Sequence, residues 1–130
     1  MIDGEIDIIS SERIENINIS SQVGNLINSV GKGIIFLFVP HTTAGIFVNE
    51  SADPAVSLDI NKKLADLIPY GAGYRHMEGN SDSHIKSIIV GNQLFVFFEK
   101  GKLKLGTWGG IFFAEFDGPR RRKLYYQIQL

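Results

Sequence analysis

The sequence predicts an α+β fold in which a largely antiparallel, sandwich-like sheet carries two main helices and a short third one, as one domain over residues 1–130. Three observations predict it. Segments with strand character outnumber helical ones and return through short connections. Three of them, residues 34–39, 94–98 and 111–116, are apolar on both faces, the kind of strand that sheets bury on both sides. Two other segments repeat apolar residues at helical spacing.

Residues 5–10 and 13–19 read as the first two strands, the second with an imperfect period of two. Ser20 or Ser21 is placed to cap a helix whose apolar stripe is Val23, Leu26, Ile27 and Val30, with Gly31 at its end. The run 34–39 is a strand, interrupted by Pro40, and 44–48 is its return. Asp53-Pro54 opens the clearest helix, with Asp at the N-cap and proline at the first helical position. Val56, Ile60, Leu64, Leu67 and Ile68 form its stripe, and Pro69-Tyr70-Gly71 ends it. Residues 71–83 are glycine-rich and polar, and 83–90 form the short helix, closed by Gly91-Asn92. After the strand 94–98, Glu99-Lys100-Gly101-Lys102 signals a hairpin turn. The strands 111–116 and 124–130 complete the sheet, the last alternating Leu124, Tyr126, Ile128 and Leu130 with polar neighbours and Tyr125.

Composition narrows the function. A net charge of −1 and a pI near 6.3 exclude a general polyanion binder, which needs clustered excess Lys and Arg. With no cysteine, disulfides and thiolate metal sites are excluded, so any metal needs imidazole or carboxylate ligands. The acidic N-terminal stretch lacks the basic region of a signal peptide, and no apolar run approaches bilayer length. The expectation is a soluble cytoplasmic protein that binds neither nucleic acid nor membrane.

Polar residues gather where the core pattern breaks: at His41-Thr42-Thr43, at Asn49-Glu50-Ser51-Ala52-Asp53, and in GYRHMEGNSDSHIKS, residues 73–87. The chain has three histidines, and two of them, His76 and His84, lie in this last segment. Neutral imidazole ligates zinc, and three such ligands plus water make a catalytic centre, although this spacing is no established zinc motif. The plainer reading makes each histidine a solvated loop residue. Glu50, directly after an apolar strand, is a candidate base or cation ligand. For Asp53 the helix cap stands first. The glycine-rich residues 101–110 are not a phosphate-binding P-loop, because no Gly-Lys-Ser/Thr leads into a helix. They read as a hairpin and bulged strand with Trp108 as a packing residue. The basic run Arg120–Lys123 is either a solvated turn or a phosphate clamp built on Arg121 or Arg122.

HTTAGIFVNE, GNSDSHIK and GKLKLGTW, in that order, resemble the secondary thiamine-phosphate synthase family, the YjbQ-like proteins. The resemblance covers nearly the whole chain and implies a compact α+β subunit that assembles as a homotrimer with pockets near subunit contacts. It also implies weak thiamine-phosphate synthase activity, joining hydroxymethylpyrimidine diphosphate to a thiazole phosphate with release of diphosphate. Carried over by motif, the catalytic candidates are His41, Glu50, Asp82 and His84. The substrate-binding candidates are Thr42, Thr43, Asn49, Asn80, Lys86, Thr107 and Trp108, to which the basic run adds Arg121, and the metal ligands are His41, His76 and His84; Asp53 lies in the same motif set. Asp82 is a further candidate for orienting an imidazole. The cofactor expected is a divalent metal, zinc or magnesium. Where the family has glutamine after the tryptophan, this chain has Gly109.

Two other functions fit the same residues: a hydrolase with a three-histidine zinc, and a non-enzymatic trimeric module that binds a small phosphorylated ligand. An oligomer is expected independently, because one small domain has little capacity to cover both faces of three apolar strands, and the resemblance makes it a trimer.

Overall fold

The computed structural model describes residues 2–28 and 31–130. In chain order the elements are β1 (Ile2–Ile9), β2 (Glu15–Asn18), α1 (Ser20–Ile27), β3 (Lys32–Phe38), β4 (Ala44–Glu50), α2 (Pro54–Leu67), α3 (Ser81–Val90), β5 (Gln93–Glu99), β6 (Lys102–Leu103), β7 (Gly109–Glu115) and β8 (Arg121–Gln129). The strands form a five-stranded sheet in the order β1-β8-β3-β5-β6 and a three-stranded sheet in the order β2-β7-β4. Every pairing among the described residues is antiparallel. This is the α+β, sandwich-like arrangement that the sequence predicts.

The core lies between the sheets. Ile35 and Leu37 of β3, Val96 and Phe98 of β5, and Leu124 and Ile128 of β8 point inward from the larger sheet. Ile46 of β4 and Ile111 and Phe113 of β7 meet them from the smaller one. Val23 and Ile27 of α1 join the same cluster, and the helix packs against β6 and β7. Val30, the last residue of the expected stripe, lies outside the described residues. Neither Ser20 nor Ser21 is the N-cap; Ile19 is, without a side-chain cap. Ser20 Oγ instead accepts the Ile111 backbone N–H at 2.8 Å and ties the helix to β7.

Two expectations about strands are corrected. Residues 44–48 do not return beside β3. After Pro40 the chain turns a corner and β4 enters the other sheet, pairing with β7, while β3 pairs with β5 and β8. Only one of the three apolar runs is buried throughout, residues 111–116. The other two alternate, as the period of a strand requires. Phe36, Phe38, Phe95 and Phe97 stand on the outer face of the larger sheet, with Tyr125 beside Phe38.

The turn at Lys100-Gly101 is the expected two-residue hairpin. Both residues have positive φ, 55° and 70°, which matches the right-handed twist of the strands it joins. Asp53 caps α2 as expected, its Oδ1 accepting the Ala55 N–H at 2.9 Å. The helix itself is less covered than its stripe suggests. None of its residues is fully buried; Val56, Ile60 and Leu64 are half-buried and Leu67 is exposed. Asn16 of β2 holds it from below, donating to Ser57 Oγ at 2.8 Å and Asn61 Oδ1 at 3.1 Å.

α3 is inverted. Its buried residues are Asp82, Ser83, Lys86 and Ser87, at i, i+1, i+4 and i+5, while Ile88 and Ile89 are 81% and 60% exposed. A polar stripe is tolerated inside only when each group finds a partner. Asp82 accepts Arg13 Nη2 at 2.9 Å and Lys86 Nζ at 3.1 Å. Ser83 Oγ donates to the Phe116 carbonyl and Ser87 Oγ to the Ala44 carbonyl, each at 2.6 Å. The two hydroxyls pin the helix to the end of β7 and the start of β4.

A second buried polar group joins the two sheets. Glu115, the last residue of β7, accepts Arg122 Nε of β8 at 2.9 Å, and Arg122 Nη2 bonds its other oxygen. Ser10 Oγ donates to the same carboxylate at 2.7 Å, and the Asp117 N–H donates at 3.0 Å. Arg122 Nη2 also reaches Thr43 Oγ1 at 2.8 Å. Burial alone would raise the Glu115 pKa, but the Arg122 and Ser10 hydrogen bonds outweigh it and hold the group below the usual carboxylate range.

Glu115→Gln leaves a buried guanidinium short of its counter-charge, and the expected loss is about 3–5 kcal/mol in urea unfolding. Glu115→Leu combined with Arg122→Met should retain more stability than either single change, because the charge and its partner leave together. Asp82 and Glu115 both have depressed folded pKa values. Their stabilisation is therefore complete above the ordinary carboxylate pKa, near 4, and is lost as pH falls through the depressed values. Acid unfolding should shift to higher pH in Asp82→Asn.

Candidate functional site

The motif residues separate along β4. His41-Thr42-Thr43 precedes its start, and Asn49 and Glu50 are its end. Seven residues at strand rise place the two ends about 20 Å apart. Each end has its own depression.

At the first end, His41, Thr42, His84, Ser87, Ile88, Gly91 and Asn92 line a depression of about 450 Å³. α3 brings His84 there because Ser87 is fastened to Ala44. The corner at Gly91 is fastened too: its carbonyl accepts the Ile46 N–H at 3.0 Å. The approach of β4 to this corner is so close that a Cβ on Gly45 would lie 2.7 Å from the Gly91 oxygen.

His41 is fixed by one hydrogen bond. The Lys123 backbone N–H donates to its Nε2 at 2.9 Å. A nitrogen that accepts an N–H carries no proton, so the neutral ring has its proton on Nδ1 and offers a donor there. Burial, and next the Arg122 charge, lower the pKa of His41 below its ordinary value, which keeps the ring neutral. The Nε2 lone pair is occupied and the other nitrogen is protonated, so this state of His41 is a hydrogen-bond donor and not a metal ligand.

His84 also borders a second depression, of about 450 Å³, with Tyr74, Arg75, His76, Ser81 and Ile85. The His76 and His84 rings meet edge to face, with centroids 5.5 Å apart, and His76 Nε2 lies 3.6 Å from Glu78 Oε2. The structure thus brings His76 to His84, and His84 to His41, in a row. It does not gather them around one point. Among the described residues no group of three or more His, Cys, Asp or Glu side chains is placed to hold a metal ion.

At the far end, Asn16, Asn18, Glu50, Ser51, Asp53 and Ser57 line a depression of about 320 Å³ with Phe112 and Leu58. The loop before β7 stands over Ser51, whose N–H and hydroxyl both bond the Trp108 carbonyl, at 2.7 and 3.0 Å. Thr107 and Trp108 are exposed there, so Trp108 is not the packing residue expected. Asn49 Oδ1 accepts the Glu50 N–H at 2.7 Å.

Several candidates are interior, bonded to neighbouring side chains. Asp82, expected as a catalytic group or an imidazole's partner, is fully buried against Arg13 and Lys86. Desolvation would raise its pKa, but the Arg13 and Lys86 hydrogen bonds lower it further. Lys86, expected to contact substrate, is 3% exposed and its ammonium is turned onto Asp82. Thr43 is buried against Arg122. Asn80 donates to Asp117 Oδ2 at 2.8 Å, and its Oδ1 is shut from solvent without a partner. Arg121, weighed with Arg122 as a phosphate contact, is the exposed member of the pair, and Arg122 is spent on Glu115.

Arg13, Ser83, Ser87 and Glu115 are the supporting residues that sequence reasoning missed. Glu115 alone carried a signal, as the one charge inside the otherwise apolar segment 111–116. The 730 Å³ depression on the outer aromatic face is larger than the three others but is lined by Phe36, Phe38, Phe95, Tyr125 and their neighbours, with no His, Lys, Arg, Asp or Glu. Its walls offer no acid, base or cation for chemistry.

These features define a class of small two-sheet antiparallel proteins with a histidine-lined depression beside an inverted helix. Comparison with known proteins gives the class its family. The UPF0047 protein YjbQ-like family matches residues 4–130, and the chain belongs to it. A UPF0047 protein of Methanocaldococcus jannaschii is 50% identical over 123 residues, covering 93% of this chain and 89% of its own. The UPF0047 protein YugU of Bacillus subtilis is 42% identical over 126 residues, covering 95% and 96%. Among solved structures, a YjbQ/UPF0047 family protein from Clostridium acetobutylicum superposes with a TM-score of 0.93 at 44% identity, covering 96% of this chain and 98% of that one. A conserved hypothetical protein from Thermus thermophilus gives 0.92 at 39% identity, covering 97% and 99%.

The His41 ring should titrate below 6.5 when followed by NMR, since its folded pKa is lowered. The linked stability is present above that ordinary value and falls as pH drops through it. Gly45→Ala should cost about 1–3 kcal/mol by overpacking against Gly91, read by thermal unfolding.

Proposed function

We propose that the protein is a small-molecule transferase that holds a phosphorylated substrate at the depression between His41 and His84. The observation that carries this reading is the Lys123 N–H bonded to His41 Nε2, which leaves a neutral Nδ1–H as a fixed donor. The Thr42 hydroxyl and His84 border the same space. Its volume is in the range of small-ligand sites.

The reaction is the one implied by the motif resemblance, weak thiamine-phosphate synthesis. The thiazole nitrogen forms a bond to the methylene carbon of hydroxymethylpyrimidine diphosphate as the carbon–oxygen bond breaks. The electron pair leaves with diphosphate. Charge grows on the departing oxygens, where oriented donors stabilise it most. His41 Nδ1–H and Thr42 are the groups assigned to that task; the thiazole nitrogen carries no proton, so the step needs no base, and Glu50 stands about 20 Å away at the far end of β4.

The lone pair of His41 and the lack of a three-ligand group among the described residues do not fit a three-histidine zinc centre. This disfavours the hydrolase. Magnesium suits the reading better, because it is commonly held by substrate phosphates with few protein ligands.

The assembly proposed is a homotrimer. Its support is the outer face of Phe36, Phe38, Phe95 and Phe97, an apolar surface that burial between copies would stabilise. No helix among the described residues is long and apolar enough to cross a membrane.

Incubation with both precursors and magnesium should yield thiamine phosphate above a heat-killed control. His41→Ala and His84→Ala should each lower the rate about 10²-fold or more, as loss of a positioned donor or acid–base group does. No product with any of several divalent cations would reject the transferase reading. Phe36→Asp with Phe95→Asp should convert the trimer to monomer in light scattering, and a wild-type monomer at micromolar concentration would reject the assembly.

A further inference from the structure

Arg75 is a cation left without a partner. It is exposed, and among the described residues it takes part in no ion pair. With Tyr74, His76, Ser81 and His84 it lines the second depression of about 450 Å³. It is the one side chain of permanent charge in the walls of either depression beside His84. Glu78, the acid closest to it in sequence, lies 3.6 Å from His76 Nε2 and outside those walls.

Arg75 stands on residues 71–79, between α2 and α3. All of these are exposed except Tyr74, which is half-buried. No hydrogen bond among the described residues joins them to a helix or a strand; the Tyr74 hydroxyl donates only to the Pro69 carbonyl, at 2.7 Å. The segment is held at its two ends instead. The Tyr70 ring centroid lies 4.3 Å from the Arg13 guanidinium carbon, and Asn80 Nδ2 donates to Asp117 Oδ2 at 2.8 Å. Gly71, Gly73 and Gly79 have φ of 70°, 75° and 77°. A Cβ on Gly71 or Gly73 would meet nothing within 4 Å, so backbone conformation and not space calls for glycine there. Anchored at both ends and unbonded between them, such a segment moves at low cost. Its His76 ring already rests edge to face on His84, with centroids 5.5 Å apart.

We infer that residues 71–79 are a strap that closes over an anion beside His84, and that Arg75 on this strap selects a diphosphate over a single phosphate. The inference rests on the His41–His84 depression being a phosphate site. There the first phosphate meets neutral donors, His41 Nδ1–H and Thr42, and no charged side chain compensates a second one. His84 is the common wall of the two depressions, so a second phosphate passes beside it toward Arg75 and the Ser81 hydroxyl. The guanidinium keeps its charge at every working pH, and its planar fork of N–H groups matches two phosphate oxygens. A single phosphate seated at His41 does not draw the strap in. Arg75 thus decides which phosphorylated substrate is held, and His41 stays the donor at the first phosphate.

The test uses inorganic anions and the intact protein in magnesium. Calorimetric titration should show diphosphate binding more tightly than phosphate. Arg75→Gln should weaken diphosphate about 10-fold or more, the worth of a charge-assisted hydrogen-bonded pair, and leave phosphate nearly unchanged. Arg75 has no contact to lose in the free protein, so the variant should keep its fold, checked by thermal unfolding. The same residue reports closure, because trypsin cuts after arginine and exposed loops are its preferred entry. Saturating diphosphate should slow cleavage between Arg75 and His76, read by mass spectrometry, while phosphate should not. Cleavage of a small peptide substrate in the same buffers controls for trypsin itself. Equal diphosphate affinity in Arg75→Gln, or a cleavage rate that diphosphate leaves unchanged, overturns the inference. If His84→Ala still loses both anions in that case, the phosphate site stands. A wild-type protein that binds neither anion overturns both. The readouts need no turnover, so inactivity toward the thiamine precursors rejects the transferase and leaves the strap intact.

Discussion

The Glu115–Arg122 pair is the interaction on which the rest depends. It joins the last residue of β7, in the smaller sheet, to β8, in the larger. Ser10, just after β1, bonds the same carboxylate, and Thr43, just before β4, bonds the same guanidinium. Four chain segments from both sheets therefore converge on two charges without access to water. Such a pair adds little net stability compared with an apolar substitute, but it is unforgiving of mismatch, since either charge alone is costly to bury. Its value here is placement: it fixes where the chain leaves β3 and enters β4, which is where His41 stands. The Arg122 charge also helps to hold His41 neutral.

α3 shows how a second polar network chooses the face that a helix offers. Asp82, Ser83, Lys86 and Ser87 all find partners below the helix, so the isoleucines are turned out. Arg13 reaches across to complete Asp82 and lies 4.3 Å from the Tyr70 ring centroid, its outer side covered by that ring. His84, on the flank between the two faces, is held without any hydrogen bond of its own to the core. Its position follows from the serines on either side, at 83 and 87.

The chemistry of the site follows from which nitrogen of His41 is taken. A ring that accepts a backbone N–H cannot offer that lone pair to a metal, and its second nitrogen is a donor. The same geometry that disfavours a three-imidazole zinc site favours an anionic oxygen as the ligand. Placing Glu50 at the other end of β4 has an equal consequence, because within one chain that carboxylate does not reach His41 or His84.

The sequence by itself determined the fold class, most elements and the polar segments. Strand runs bounded by Gly and Pro, the Asp53-Pro54 helix start and the Lys100-Gly101 turn are local signals with local causes, whereas the inward face of β3 and β5 was not legible, because both faces of those runs are apolar. It also marked all three histidines as lying beside core elements. What only the tertiary structure decided is which polar residues are partners. Asp82 and Lys86 read as site residues because charge usually marks a surface, and nothing near them in sequence announces Arg13, 69 positions away from Asp82. The pairing of β4 with β7 instead of β3 is equally non-local, since an apolar run fits more than one neighbour and the corner after Pro40 chooses. That choice put Glu50 and His41 at opposite ends of one strand. A linear motif cannot show the separation, because residue order along a chain does not give distance in a fold built from antiparallel pairings between segments far apart in sequence.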